Sequence, residues 1–185
     1  MGDVWLVRHG ETEWSRSGRH TSISDIELTE AGEAEAIDLR ARLAVVRFEL
    51  VLTSPRIRAR RTAELAGYPG AVVDEDLAEW AYGDLEGLTT DQIHAREPGW
   101  SIWTHGGPGG ESVADIEARA DRLVGRLQAV DGPVLCFGHG HALRVLAARW
   151  LGQQVEMGGA FALDTASVSV LGREHDRPAL IHWNG

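Results

Sequence analysis

Short apolar runs alternate with amphipathic segments along the chain, a pattern that predicts an α/β domain. The run from Val4 to Val7 reads as a first strand, and "LTEAGEAEAIDLRARLAVV" as a helix with Thr29 at its N-cap. "FELVLTS" predicts a second strand running into a helix over "SPRIRARRTAELAG". There Ser54 is expected to cap, Pro55 to take the first helical position and Gly67 to close the helix. "AVVDEDL" predicts a short strand, and a loop-rich region follows from about Ala78 to Gly110. Ser112 and Asp115 then have capping-box spacing, ahead of a helix whose Val113, Ile116, Ala120, Leu123 and Leu127 share one face. "PVLCFG" is a continuous apolar strand of the kind found in sheets covered on both faces. It leads into a helix from about His141 to Leu151, closed by Gly152, and strands near "ASVSVLG" and "PALIHW" finish the chain. With no linker, repeat or low-complexity tract, residues 1–185 are expected to form a single domain.

Two of these strands end in the same chemistry. The first gives "VRHGE" and the later one "FGHGHALR". In open α/β sheets ligand sites gather beyond the carboxyl ends of strands, so His9 and His139 are candidates to meet at one sheet edge. Glycines at 10, 138 and 140 let backbone and ligand approach closely. The second strand ends near "TSPRIRAR", at a helix N-terminus whose N–H groups favour an anion. Imidazole, guanidinium and free N–H groups brought to one place suit a phosphoryl group.

Composition narrows the partners. A chain of 185 residues, 43% hydrophobic and 25% charged, is an ordinary globular protein with room for a real core. No apolar run approaches a membrane span, and no basic segment leads an apolar stretch at the start, so a cytoplasmic protein without membrane contact is expected. The net charge of -10 argues against a nucleic-acid partner and against long-range steering of small anions; an anionic substrate needs a local basic pocket. All eighteen basic residues are arginine, which leaves no lysine for a Schiff base or a phosphate contact. Cys136, the single cysteine, excludes an internal disulfide and reads as a small buried hydrophobe within "PVLCFG".

"RHGET", "SPRIRARRTA", "EWAYGDLEG" and "GHGHALR" occur in the order seen in the histidine phosphatase, or phosphoglycerate mutase-like, superfamily, and the resemblance covers nearly the whole chain. Within it the sequence looks most like small bacterial acid phosphatases and sedoheptulose-1,7-bisphosphatase-type members. The likeness is carried by "TEWSRSGRHT", "LAEWAYGDLEG" and "HGHALR". It implies a three-layer α/β/α sandwich with a mostly parallel central sheet.

The resemblance also implies roles. His9 takes the nucleophile's position, attacking phosphorus as a neutral imidazole and forming a phosphohistidine. Arg8 and Arg58 match the phosphate-binding arginines, while Arg56, Arg60 and Arg61 read as solvated or rim residues. His139 matches the second histidine that donates to the same oxygens. Glu79 matches the proton donor; the neighbouring Asp74, Glu75, Asp76, Asp84 and Glu86 are not distinguished from it by residue type alone. Ser15, Arg19, Thr21 and Ser22 fall where the family's first loop touches substrate, with Ser15 in place of the mutases' common asparagine, and His141 lies beside the pocket.

His139 and His141 have a metal-ligand spacing, but Leu143 stands where metallohydrolases want an aspartate, so no metal and no cofactor is expected. "PGWSIWTHGGPGGES", with Trp100, Trp103 and His105, reads either as a lid over substrate or as a segment anchored in the core. The implied function is a metal-independent phosphomonoesterase acting on small phosphorylated metabolites, such as sugar phosphates or phosphoglycerate-like compounds. A mutase, which must exclude water, and a non-catalytic phosphate-binding regulatory domain are the alternatives. The missing lysine and the lack of a tail after "IHWNG" favour hydrolysis over the mutase. Intact matches for nucleophile and acid argue against the binding domain. A homodimer is the only protein partner expected.

Overall fold

Six strands form one sheet in the computed structural model, which describes residues 2–185. In chain order they are β1 (Val4–Arg8), β2 (Leu50–Thr53), β3 (Val72–Val73), β4 (Val134–Gly138), β5 (Val168–Glu174) and β6 (Arg177–His182). Across the sheet they lie β3-β2-β4-β1-β5-β6. The first four are mutually parallel where they pair, and β5 runs antiparallel to both β1 and β6. The α/β domain expected from the alternating pattern is therefore present, and so is the mostly parallel central sheet that the resemblance implies.

Register decides where the chemistry goes. Arg8 pairs with Gly138 and Thr53 with Phe137, so β1, β2 and β4 end level with one another. The residues that leave the sheet there are His9, Ser54 and His139. His9 N–H still donates to the Gly138 carbonyl at 3.0 Å, and Ser54 N–H to Phe137 at 2.9 Å.

Helices cover both faces. On one side α2 (Glu30–Leu43) and α3 (Ile57–Leu65) set Leu39, Leu43 and Ala63 against Val7, Leu135 and Phe137. On the other, α6 (Val113–Gln128) and α7 (Gly140–Trp150) set Leu123, Leu127, Leu146 and Trp150 against Val4, Leu6 and Cys136. Successive residues of β1 and β4 thus point into opposite cores, as a twofold strand repeat requires. Cys136 is fully buried, and burial pushes its thiol up, consistent with a packing role.

The expected caps hold at α2, where the Thr29 hydroxyl accepts the Gly32 N–H at 3.0 Å, and at α6, where Ser112 and Asp115 exchange hydrogen bonds. Gly67, with φ +99°, follows the end of α3 as anticipated. The start of α3 differs. Its N-cap is Arg56 rather than Ser54, and Pro55 lies outside the helix, because the Ser54 side chain is taken by His139 and the Asp25 carboxylate accepts the Ile57 N–H at 3.0 Å. α7 begins at Gly140, one residue earlier than expected.

Short elements escaped the pattern: α1 (Glu13–Arg16), with a Thr12–Ser15 capping box, and α4 (Thr90–His94) and α5 (Ile102–His105) inside the loop-rich region. That region is not loose. Trp80, Tyr82, Ile93, Trp100 and Ile102 are buried together against Ile116 and Val145. The segment containing Trp100 is therefore anchored in a core through Trp100 and Ile102. Gly106, Gly107 and Gly110 sit on main chain: a Cβ on Gly110 would come 2.1 Å from the Ala81 carbonyl oxygen.

Candidate active site

A cleft of about 240 Å³ opens above the level ends of β1, β2 and β4. Arg8, His9, Glu79, Tyr82, His141 and Arg144 are among its walls, with Ser15, Arg19, His20 and Thr21 from the loop after β1. Arg58 and His139 are fully buried beside His9, whose ring centroid is 5.2 Å from that of His139. Residues scattered from 8 to 144 in the chain thus converge where three parallel strands end together.

His9 is held in one tautomer. Its Nδ1 lies 2.8 Å from the Gly10 carbonyl, which only accepts, so Nδ1 carries the proton and Nε2 keeps its lone pair. Burial, then Arg58 and Arg8, push its pKa well below the ordinary imidazole value. The Gly10 N–H donates to the Thr62 hydroxyl at 3.0 Å, and that hydroxyl donates to the Arg58 carbonyl at 2.7 Å, tying the end of β1 to α3. A Cβ at Gly10 would meet the Gly32 carbonyl oxygen at 2.3 Å, so only glycine allows α2 this close.

The two guanidiniums are oriented by carbonyls. Arg8 Nη1 donates to Leu163 at 2.5 Å; Arg58 donates to Ser24, Thr21 and Ser22 at 2.9, 3.0 and 3.2 Å. Among the described residues four buried side-chain polar atoms lack a partner, and three of them are Arg8 Nε, Arg58 Nε and His139 Nδ1. Unpartnered buried donors on two cations and an imidazole suit an oxyanion.

His139 is buried, and desolvation followed by Arg58 and His9 keeps it neutral, far below the ordinary imidazole pKa. Its Nε2 meets the Ser54 hydroxyl at 2.7 Å. His141 is kept neutral by burial, Arg144 and His20, while burial raises the Tyr82 phenol well above its usual range. The Tyr82 hydroxyl and His141 Nδ1 share a hydrogen bond of 2.6 Å between two neutral groups.

Glu79 is fixed across the mouth of α7. Its carboxylate accepts N–H groups from Trp80 at 2.9 Å, Ala142 at 2.8 Å and His141 at 3.1 Å, the last two in the first turn of that helix. A Cβ built on Gly140 would sit 3.6 Å from Arg8 Nε and 3.8 Å from Glu79 Oε2, which places the carboxylate and the cation on either side of one glycine.

Residues 4–185 match the family model of the histidine phosphatase superfamily, branch 1. An acid phosphatase of Mycobacterium tuberculosis is 44% identical over 174 residues, covering 92% of this chain and 86% of that protein. A sedoheptulose 1,7-bisphosphatase of Saccharomyces cerevisiae is 37% identical over 186 residues, covering 82% of this chain and 68% of its own length. A solved open-reading-frame product of Mycobacterium tuberculosis superposes with a TM-score of 0.95 at 42% identity, covering 99% of this chain and 97% of the other. The chain belongs to the histidine phosphatase superfamily. Its activity class is that of a phosphatase, and its fold is the phosphoglycerate mutase-like α/β sandwich.

Within this histidine phosphatase site, the structure brings together His9, Arg8, Arg58, His139, Glu79 and His141, and lines the mouth with Ser15, Arg19 and Thr21. Ser22 is placed elsewhere. It is buried, its N–H and hydroxyl donate to the Glu86 carboxylate, and the hydroxyl accepts the Tyr82 N–H, so no group is left for substrate. Arg61 pairs with Glu33 and Glu64, as a rim residue would, whereas Arg56 is half-buried and its charge reaches His139. Tyr82, His20, Arg144 and Ser54 were not singled out by sequence for the site. Tyr82 and Arg144 lie inside "EWAYGDLEG" and "GHGHALR", so the motifs hold the signal; Ser54 has the local marks of a helix cap.

Proposed function

We propose that this phosphatase hydrolyses monoesters of small phosphorylated metabolites, without a metal ion, by transferring the phosphoryl group to Nε2 of His9. The observation that carries the reading is the state of His9: its tautomer leaves Nε2 unprotonated at the cleft, and burial beside Arg8 and Arg58 keeps the ring neutral. In this reading Arg8, Arg58 and Nδ1–H of His139 take the equatorial oxygens as Nε2 attacks phosphorus. The bond to the ester oxygen breaks, and that oxygen leaves as an alcohol with the proton of Glu79. Water then attacks the phosphohistidine, gives its proton to Glu79, and phosphate departs with His9 restored.

Metal independence is supported by the histidines' partners, since His139 Nε2 is engaged by Ser54 and His141 Nδ1 by Tyr82. Among the described residues no group of three or more His, Cys, Asp or Glu side chains is arranged to hold a metal ion. Small substrates are supported by the cleft volume of about 240 Å³, against roughly 300–1,000 Å³ for typical ligand pockets. Phosphate release from an aryl phosphate in chelator-treated buffer tests the proposal. Activity in the wild type and none in His9→Ala is expected. A requirement for added divalent metal, or turnover surviving in His9→Ala, overturns it; isomerisation of 3-phosphoglycerate without phosphate release points to the mutase instead.

A further inference from the structure

Behind the cleft, the buried Arg119 forms an ion pair with Glu111, whose side chain is partly exposed. Arg119 sits two turns into α6 and Glu111 just ahead of that helix. Neither lines the cleft among the described residues. All five guanidinium hydrogens of Arg119 have an acceptor. Nε and Nη2 meet the two carboxylate oxygens of Glu111 at 2.7 and 2.9 Å, Nη1 donates to the carbonyls of Asp76 and Ala78 at 2.9 and 2.8 Å, and Nη2 also reaches the Glu79 carbonyl at 3.1 Å. Glu111 completes the other side. Its Oε2 accepts the Ala81 N–H at 2.8 Å, its own N–H donates to the Ala81 carbonyl at 2.9 Å, and its carbonyl accepts Trp80 Nε1–H at 3.0 Å.

The main chain is thus gripped before, at and after Glu79, while the Glu79 carboxylate is held separately by the first turn of α7. Burying a guanidinium is unfavourable unless it is paired in good geometry and its hydrogen bonds are complete. Here both conditions are met, and the carbonyl acceptors belong to residues 76 to 79, where a single 3-10 turn (Glu75–Leu77) gives way to irregular chain. A lysine carries three donors on one atom and cannot serve a bidentate carboxylate and three carbonyls in different directions.

We propose that Arg119 and Glu111 are positioning residues that set the height of Glu79 over the leaving-group oxygen, fixing proton delivery without touching substrate. The inference rests on Glu79 as the proton donor. Its signature is selective: alkyl phosphates, whose leaving groups need the proton, depend on the clamp, and aryl phosphates depend on it much less.

The test compares kcat/KM for a simple alkyl phosphate and an aryl phosphate in wild type, Arg119→Lys, Glu111→Gln and Glu79→Gln, with each variant's folded fraction checked by thermal melting. Arg119→Lys is expected to lower the alkyl-to-aryl ratio by about tenfold or more. Glu111→Gln, which keeps the shape and one acceptor, is expected to lower it less and provides the measurement if Arg119→Lys does not fold. Adding either change to Glu79→Gln should leave the ratio where Glu79→Gln alone puts it. A role confined to holding the fold together removes active enzyme equally for both substrates; an unchanged ratio in Arg119→Lys and Glu111→Gln therefore overturns the clamp. If Glu79→Gln itself fails to change the ratio, the acid assignment falls and takes the clamp with it.

Discussion

The hydroxyl of Ser54 lies 2.7 Å from Nε2 of His139, both residues fully buried and 85 positions apart. Ser54 Oγ also accepts the Arg56 N–H at 3.3 Å, and of its partners among the described residues the imidazole is the one that can accept its proton. His139 is neutral, and with Nε2 accepting, its own proton is on Nδ1, the nitrogen that has no protein partner. One hydroxyl at the end of β2 thereby decides which face of a histidine at the end of β4 can donate to a phosphoryl oxygen.

Ser54→Ala removes that decision. The ring is then free to place its proton on either nitrogen, and kcat is expected to fall by about tenfold, the scale of a lost supporting hydrogen bond. Nitrogen chemical shifts of His139 give the direct check. The wild type should show a protonated Nδ1 and an acceptor Nε2, and the reverse pattern in the wild type would sink the idea.

Glu79→Gln keeps the side chain's length but removes the transferable proton. One amide oxygen can still accept the Trp80 and Ala142 N–H groups, whereas the NH2 then opposes the His141 N–H. The loss on alkyl phosphates is expected to be about 100-fold or more, the usual reach of general acid catalysis, and markedly smaller on aryl phosphates. Steady-state rates on a matched pair of substrates decide it; equal losses on both remove Glu79 from the acid role.

Acid pH acts on the same imidazoles. In the unfolded chain His9 and His139 protonate near ~6.5, while in the fold burial and Arg58 hold both neutral to well below that value. The unfolded state therefore binds more protons, and stability falls as pH drops below ~6.5, by up to about 1.4 kcal/mol per pH unit for each ring, levelling once the folded imidazoles titrate. Urea midpoints across roughly pH 7.5 to 5 should show this slope, and it should shrink in the His9→Ala, His139→Ala double variant. An identical slope in that variant would assign the protons to other groups.

Much of this architecture is legible in local pattern. Val4, Leu6, Val134 and Cys136 announce strands covered on both faces, and Thr29 and Ser112 mark helix starts, because periodicity and capping are properties of neighbours in sequence. His9 and His139 stand out because each sits beside glycine just past a strand end, where open α/β sheets gather their ligand sites. What local pattern misses is decided by distant partners. Ser54 before a proline has the local marks of a cap, yet His139, 85 residues on, takes its hydroxyl. Ser22 looks like its neighbours in the first loop, yet Glu86 claims it. Between residues 78 and 110 burial of Trp80 and Trp100, rather than any repeat, organises the chain, so helix and strand periodicities give no signal there.

Two glycines, one in that region and one outside it, should respond oppositely to alanine. At Gly110 a Cβ would lie 2.1 Å from the Ala81 carbonyl oxygen and 2.7 Å from the Gly83 nitrogen, both main chain, so the segment carrying Glu79 must move. Gly110→Ala is expected to destabilise by about 1–3 kcal/mol, as overpacking does, and to lower activity through the displaced Ala81. Gly125 is exposed in the interior of α6 with nothing within 4 Å of a Cβ, so Gly125→Ala should stabilise by roughly 0.5–1 kcal/mol through helix propensity alone. Denaturant unfolding of the two variants side by side measures both signs. A Gly110→Ala protein as stable and as active as the wild type would mean that the 106–110 turn yields easily, and that the site does not depend on its close packing against residues 81–83.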